Sequence, residues 1–133
     1  MAAWDYQRPE SIAEATALLA DPAARPLAGG TDVMVQIRAG HPVPGTLVDL
    51  TFVPALGTLT ALPGGGLRIG AAVRLSILET DPKCLAYPLL REAAATVGSV
   101  QVRHRATLVG NVCNGSPAAD TAPALLCYDA VLH

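Results

Sequence analysis

Leu27-Ala28-Gly29-Gly30-Thr31-Asp32-Val33 is the stretch on which the reading of this chain turns. A short apolar run, 25–28, leads into it, and a helical pattern, 31–39, leaves it, so the two adjacent glycines sit in a strand-to-helix turn. Glycine reaches φ > 0 without steric cost and lets a ligand come close to the main chain. The first N–H groups of a helix have no intrahelical partner and carry positive partial charge, so an anion is a natural occupant. A second reading is open at this point: a plain loop in which Thr31 or Asp32 caps the helix.

Working outward, Trp4, Asp5 and Tyr6 form a short alternating segment, and Ser11-Ile12-Ala13-Glu14 is a capping-box pattern opening a helix that runs to about Ala20. Ile12, Ala15, Leu18 and Leu19 fall on one face of it. The second helix carries Val33, Met34 and Ile37 inward and stops at Gly40. Thr46-Leu47-Val48-Asp49-Leu50 is apolar enough to be a central strand. Strand, helix, strand, helix, strand predicts a parallel sheet in an αβ subdomain, residues 1–52.

From residue 53 the rhythm changes. Residues 58–62 and 67–71 alternate on either side of Pro63-Gly64-Gly65-Gly66, a hairpin signal, and a second subdomain of mixed or antiparallel α+β character begins here, residues 53–133. Short and longer helices follow at 74–80 and 87–97, the latter rich in alanine and ended by Gly98-Ser99. Residues 100–108 read as a short strand and a polar turn, in which Arg103, His104 and Arg105 serve either a phosphate or a solvated face. Residues 124–133 pass from a helical pattern into the first residues of a strand, whose partner is expected downstream.

Composition excludes several classes. A formal net charge of −2 without a run of Lys or Arg argues against general nucleic-acid or membrane-surface binding. Cys84, Cys113 and Cys127 form no CxxC pair, so neither a disulfide framework nor a metal site is indicated, and a reducing cytoplasm fits. No stretch approaches the roughly 20 apolar residues of a membrane span, and the first residues lack a signal-peptide core. No nucleophile or acid–base constellation stands out, which suits a protein whose cofactor carries the chemistry.

A second passage, Thr107-Leu108-Val109-Gly110-Asn111-Val112-Cys113-Asn114-Gly115-Ser116-Pro117-Ala118-Ala119-Asp120, crowds small, amide and hydroxyl residues into what reads as a loop. It is either a ligand-contact loop or a capping loop at the seam between the subdomains. Two glycine-rich stretches, one per subdomain, suit a long anionic cofactor between them.

Together the two passages carry a resemblance. Ala28-Gly29-Gly30-Thr31-Asp32, Leu47-Val48-Asp49-Leu50, Ile69-Gly70-Ala71, Val102-Arg103, Ala106-Thr107-Leu108-Val109-Gly110-Asn111 and Ser116-Pro117-Ala118-Ala119-Asp120, in that order, resemble the FAD-binding medium subunits of molybdenum hydroxylases, among them carbon monoxide and xanthine dehydrogenases. The resemblance implies a PCMH-type FAD-binding fold, here its N-terminal portion, with further strands and a small C-terminal domain beyond residue 133. It implies non-covalent FAD, with Pro26, Leu27, Ala28, Gly29, Gly30, Thr31, Asp32 and Val33 around the pyrophosphate. Thr107, Leu108, Val109, Gly110 and Asn111 would clasp pyrophosphate and flavin, Asp120 would accept a hydrogen bond from the cofactor, and Val97 would lie near the flavin or simply be core.

It also implies partner subunits, one carrying [2Fe-2S] clusters and one the molybdenum cofactor. Electrons would pass through FAD to NAD, oxygen or another acceptor, in an oxidoreductase of which this chain alone is inactive. A stand-alone flavin oxidoreductase of the same class, and a cofactor-free assembly module, are the alternatives. One departure is that the family's second motif carries two glycines before the asparagine, where this chain has Val109-Gly110. A left-handed backbone at Val109 would strain a β-branched residue.

Overall fold

The computed structural model describes residues 4–42 and 44–133. Residues 1–3, where the expected first subdomain starts, and residue 43 lie outside the described part. The chain builds a three-stranded parallel sheet, a two-stranded hairpin, seven α-helices and three short 3-10 helices among the described residues.

In the parallel sheet β1 (Asp5–Gln7) and β2 (Ala24–Leu27) both pair with β3 (Thr46–Asp49), which is central as its apolar sequence predicts. Leu47 and Val48 of β3 are fully buried because both of its edges and both of its faces are covered. Helix α1 (Ile12–Leu19) crosses from β1 to β2 and opens with the predicted capping box. The Ser11 hydroxyl accepts from the Glu14 N–H at 3.1 Å, and the Glu14 carboxylate accepts from the Glu10 N–H at 2.9 Å. Of the four residues expected on its inner face, Ala15 is buried and Leu18 and Leu19 are half-buried, but Ile12 is exposed.

Helix α2 (Val33–Arg38) is shorter than expected, because 31 and 32 belong to the turn before it. Val33, Met34 and Ile37 are half-buried, and Gly40 ends the helix at φ 87°. The hairpin β4 (Leu59–Ala61) and β5 (Leu67–Ile69) is antiparallel as predicted, and the Tyr87 hydroxyl accepts from the Gly66 N–H at 3.0 Å, tying the hairpin loop to the next helices.

Those helices, α3 (Leu75–Thr80) and α4 (Pro88–Thr96), pack together with Ala94 wholly buried between them; alanine leaves room for the close approach. Val73, Leu75, Leu78, Cys84, Leu90, Ala94, Ala106 and Leu108 form the hydrophobic core of this part of the chain. Burial pushes the Cys84 thiol up from its ordinary range, so it stays neutral.

Two expectations are corrected. The segment expected as a strand at 100–108 is a one-turn helix, α5 (Val100–Arg103), capped by the Ser99 hydroxyl accepting from the Val102 N–H at 3.3 Å. Among the described residues a single bridge, Arg74 to Thr107, follows it. Val100 and Val102 alternate, but two positions also fit one turn of helix, and the cap decides. The second glycine-rich passage is a loop only at 115–120; its first half is α6 (Leu108–Asn114), ended by Gly115 at φ 66°. Val109 is therefore helical and unstrained. Helix α7 (Thr121–Cys127) is followed by residues 130–133, in which Val131 and Leu132 are exposed and the strand expected with a downstream partner is unpaired among the described residues.

Candidate functional site

The turn at residues 28–32 leaves the carboxyl end of β2 beside Asp49, the last residue of β3, and crevices beyond the carboxyl ends of parallel strands are where such sheets bind ligands. A cavity of about 560 Å³ opens there, within the range of cofactor sites. One side is formed by Pro26 and residues 28–33, the other by Val97, Thr107, Val109, Gly110 and Asn111, with Leu50 and Ala71 between them. The two glycine-rich stretches are thus opposite walls of one cleft. Gly110 faces Ala28 closely: a Cβ on Gly110 would lie 3.8 Å from the Ala28 Cβ.

The adjacent glycines answer different demands. A Cβ on Gly29 would lie 2.1 Å from the main-chain carbonyl oxygen of Arg105, so only glycine lets the turn rest on the segment before α6. Gly30 has ordinary space but sits at φ 76°, the left-handed region that costs other residues strain. The resulting turn leaves the N–H groups of Gly29, Gly30, Thr31, Asp32 and Val33 without a hydrogen-bond acceptor among the described residues. Asp32, at the head of α2, makes no capping bond. Five consecutive main-chain donors on a cavity wall are what an anionic group fits.

The opposite wall is more self-contained. The Thr107 hydroxyl accepts from the Gly110 N–H at 3.0 Å, Leu108 N–H donates to the Val73 carbonyl at 3.4 Å, and Asn111 N–H to the Thr107 carbonyl at 3.0 Å. Val109 N–H is left without an acceptor among the described residues. Charge on the cavity wall comes from Arg25 and Asp32. Arg25 donates to Gln36 Oε1 at 3.0 Å, and Gln36 Nε2 to Asn114 Oδ1 at 3.2 Å, a polar link from β2 through α2 to α6 across one end of the cleft.

Beside the turn, a hydrogen-bonded carboxylate ends β3 opposite Leu27. Buried Asp49 accepts from the Thr51 N–H at 2.9 Å and hydroxyl at 2.6 Å, and from the Tyr6 hydroxyl. Although the Tyr6 ring is 41% exposed, partial desolvation of its hydroxyl first, and then the bond to Asp49 and its charge, raise its pKa from the ordinary value.

Three residues from the predicted set stand apart from the cavity wall. The side chains of Leu27 and Leu108 are buried in the core, and Asp120 is exposed at the head of α7. Of the basic cluster, Arg103 is held by Glu79 at 2.6 Å and by the carbonyls of Val97 and Gly98, while His104 and Arg105 are exposed away from the wall. Beyond the residues assigned to the site from the sequence, the wall carries Arg25, Leu50, Ala71, Gly98, Val102, Ala106, Cys113 and Asn114. Leu50 directly follows the last residue of β3, at a strand end that the parallel-sheet reading already contained.

Comparison with known proteins agrees with this geometry. The family described as "FAD binding domain in molybdopterin dehydrogenase" matches residues 2–133. The chain is 40% identical over 130 residues to the xanthine dehydrogenase FAD-binding subunit of Escherichia coli O157:H7, covering 96% of this chain and 44% of that protein. It is 33% identical over 132 residues to the carbon monoxide dehydrogenase medium chain of Afipia carboxidovorans, covering 96% and 45%. Among solved structures, carbon monoxide dehydrogenase from Hydrogenophaga pseudoflava, in a form lacking the Mo-pyranopterin moiety, superposes with a TM-score of 0.85 at 32% identity, over 90% of this chain and 42% of that one. Quinoline 2-oxidoreductase from Pseudomonas putida 86 does so with a TM-score of 0.84 at 32% identity, over 90% and 42%. The chain spans less than half the length of these relatives. With family match, fold and cleft in agreement, the chain belongs to the FAD-binding domains of the molybdopterin dehydrogenases.

Proposed function

We propose that this chain holds FAD non-covalently in the cleft between its two glycine-rich stretches, as part of the FAD-binding subunit of a molybdenum hydroxylase-type oxidoreductase. The observation that carries this is the run of five main-chain N–H groups, Gly29 through Val33, without acceptors among the described residues on the wall of a cofactor-sized cavity. These donors would hold the pyrophosphate; they lie on a backbone pinned by Gly29 against residue 105, so they are preorganised. Val109 N–H and the Asn111 side chain would add donors from the opposite wall, and Val97 and Leu50 apolar contact. Pro26 and Thr107 complete the walls, and Leu27 and Leu108 act from behind by anchoring each stretch in the core. Asp120 would join only through contacts made outside the cavity wall.

Bound FAD supplies the redox chemistry. This chain's residues bind and orient the cofactor and exclude water from its diphosphate. By likeness to the medium chains of carbon monoxide dehydrogenase, we place the subunit in a cytoplasmic complex with an iron–sulfur subunit and a molybdenum-cofactor subunit, with NAD, oxygen or another acceptor receiving the electrons. No helix among the described residues is long and apolar enough to cross a membrane.

Two exposed thiols supply the test: Cys113 is on the cavity wall and Cys127 is not. FAD added to the chain should lose flavin fluorescence and slow alkylation of Cys113 while Cys127 reacts at its unliganded rate. Unquenched FAD, with both thiols reacting as before, would sink the proposal.

A further inference from the structure

Asn111, the fourth residue of α6, lines the cavity, and its side-chain carbonyl is already engaged: the Thr121 hydroxyl donates to Asn111 Oδ1 at 2.5 Å. Thr121 opens α7 and is completely buried. A hydroxyl in or near a helix ordinarily turns back on a main-chain carbonyl of its own helix, as Thr16 does to Ile12 and Thr80 to Ser76 in this molecule. Thr121, as the first helical residue, instead spends its proton on a side chain of another helix. The consequence falls on the other half of the amide. Asn111 Nδ2 has no acceptor among the described residues, and no buried side-chain nitrogen or oxygen there lacks a partner, so Nδ2 is open rather than walled in.

We propose that Thr121 is a positioning residue for the cofactor site. It fixes the Asn111 amide with its oxygen toward α7 and its NH2 group toward the cavity, where it is a donor for a phosphate or carbonyl oxygen of the cofactor. An amide free to rotate would also present its oxygen to the cavity and repel an anion there. The proposal rests on the FAD reading of the cleft and adds to it a residue that touches no ligand.

The test measures FAD affinity of the chain by flavin fluorescence, together with the Asn111 side-chain amide signals of the unliganded chain by NMR. Thr121→Val keeps the shape and removes the hydroxyl; it should weaken FAD binding about tenfold, the size of one hydrogen bond's contribution. Thr121→Ser should bind like wild type. In an Asn111→Ala background Thr121→Val should cost nothing further, since the residue acts through Asn111. Wild-type affinity in Thr121→Val, or an equal loss in both backgrounds, overturns the proposal. The amide signals keep the two readings apart. They should shift in Thr121→Val and stay in place in Thr121→Ser, and unmoved signals in Thr121→Val overturn the positioning role whether or not the chain binds FAD. A wild-type chain that does not bind FAD overturns the cofactor reading and, with it, the cofactor role of Thr121.

Discussion

The two glycine-rich stretches look alike in sequence, each placing small and hydroxyl residues ahead of a helix, yet they handle their main-chain donors in opposite ways. At the second, Thr107 caps α6 with its own hydroxyl, and of the N–H groups at 108–111 only that of Val109 lacks an acceptor among the described residues. At the first, Asp32 stands where Thr107 stands but adopts a helical backbone and makes no capping bond, so Gly29 through Val33 remain open. A helix start that satisfies itself is a structural wall. One that does not is a donor set waiting for water or an anion. Composition alone does not separate these cases; the geometry of one side chain does.

The comparison can be broken most forcefully at Gly29. Gly29→Ala would drive a methyl group into the carbonyl of Arg105, and main-chain atoms cannot step aside as a flexible side chain could. Urea unfolding should show a loss of about 3 kcal/mol, with FAD binding lost as the walls part; a loss under about 0.5 kcal/mol would show that the stretches are not packed on each other. Gly30→Ala meets ordinary space but a φ of 76°. It should cost about 1–2 kcal/mol and weaken FAD binding by disturbing the donors around it.

A smaller pair of substitutions sharpens the contrast directly. Thr107→Ala removes a working cap and should lower stability by about 1 kcal/mol. Asp32→Ala removes no capping bond and should leave stability unchanged while tightening FAD binding slightly, since a carboxylate leaves the anion's wall. Equal losses from the two would contradict the distinction between a closed and an open helix start.

The Asp49 carboxylate beside the first stretch adds a pH signature through its bond to Tyr6. Tyr6 has its pKa raised by partial desolvation of its hydroxyl and by Asp49, so its contribution to stability is fully present below the unfolded value near 10.0 and is lost as pH rises through the folded value. Tyr6→Phe should remove that alkaline loss, visible as a flatter stability profile above about pH 10.

Much of the architecture was legible because it is written in local signals. The Ser11 to Glu14 box, the apolar Leu47-Val48 pair and the Pro63 to Gly66 loop each specify an element without help from distant contacts. What failed was governed by caps and tertiary contacts. Residues 107–111 read as a loop because Gly110 and Asn111 are poor helix residues, yet Thr107 supplies the start and Leu108, buried in the core, supplies the anchor. Thr107 three residues before its N–H partner, and Ser99 likewise, were the signals available. The cavity itself was half legible. Both walls could be named from glycine content, but that Gly29 is required by the main chain of Arg105, far away along the sequence, follows only from tertiary packing.

The central claim, that the first stretch supplies open donors and the second is largely closed, is tested most directly by following backbone amide signals of the 15N-labelled chain as FAD is added. The account predicts saturable shifts at Gly29 through Val33 and at Val109, with the amides of Leu108, Gly110 and Asn111, already bonded within the chain, moving least. Shifts that spare 29–33, or that fall on Gly110 and Asn111 instead, would contradict it.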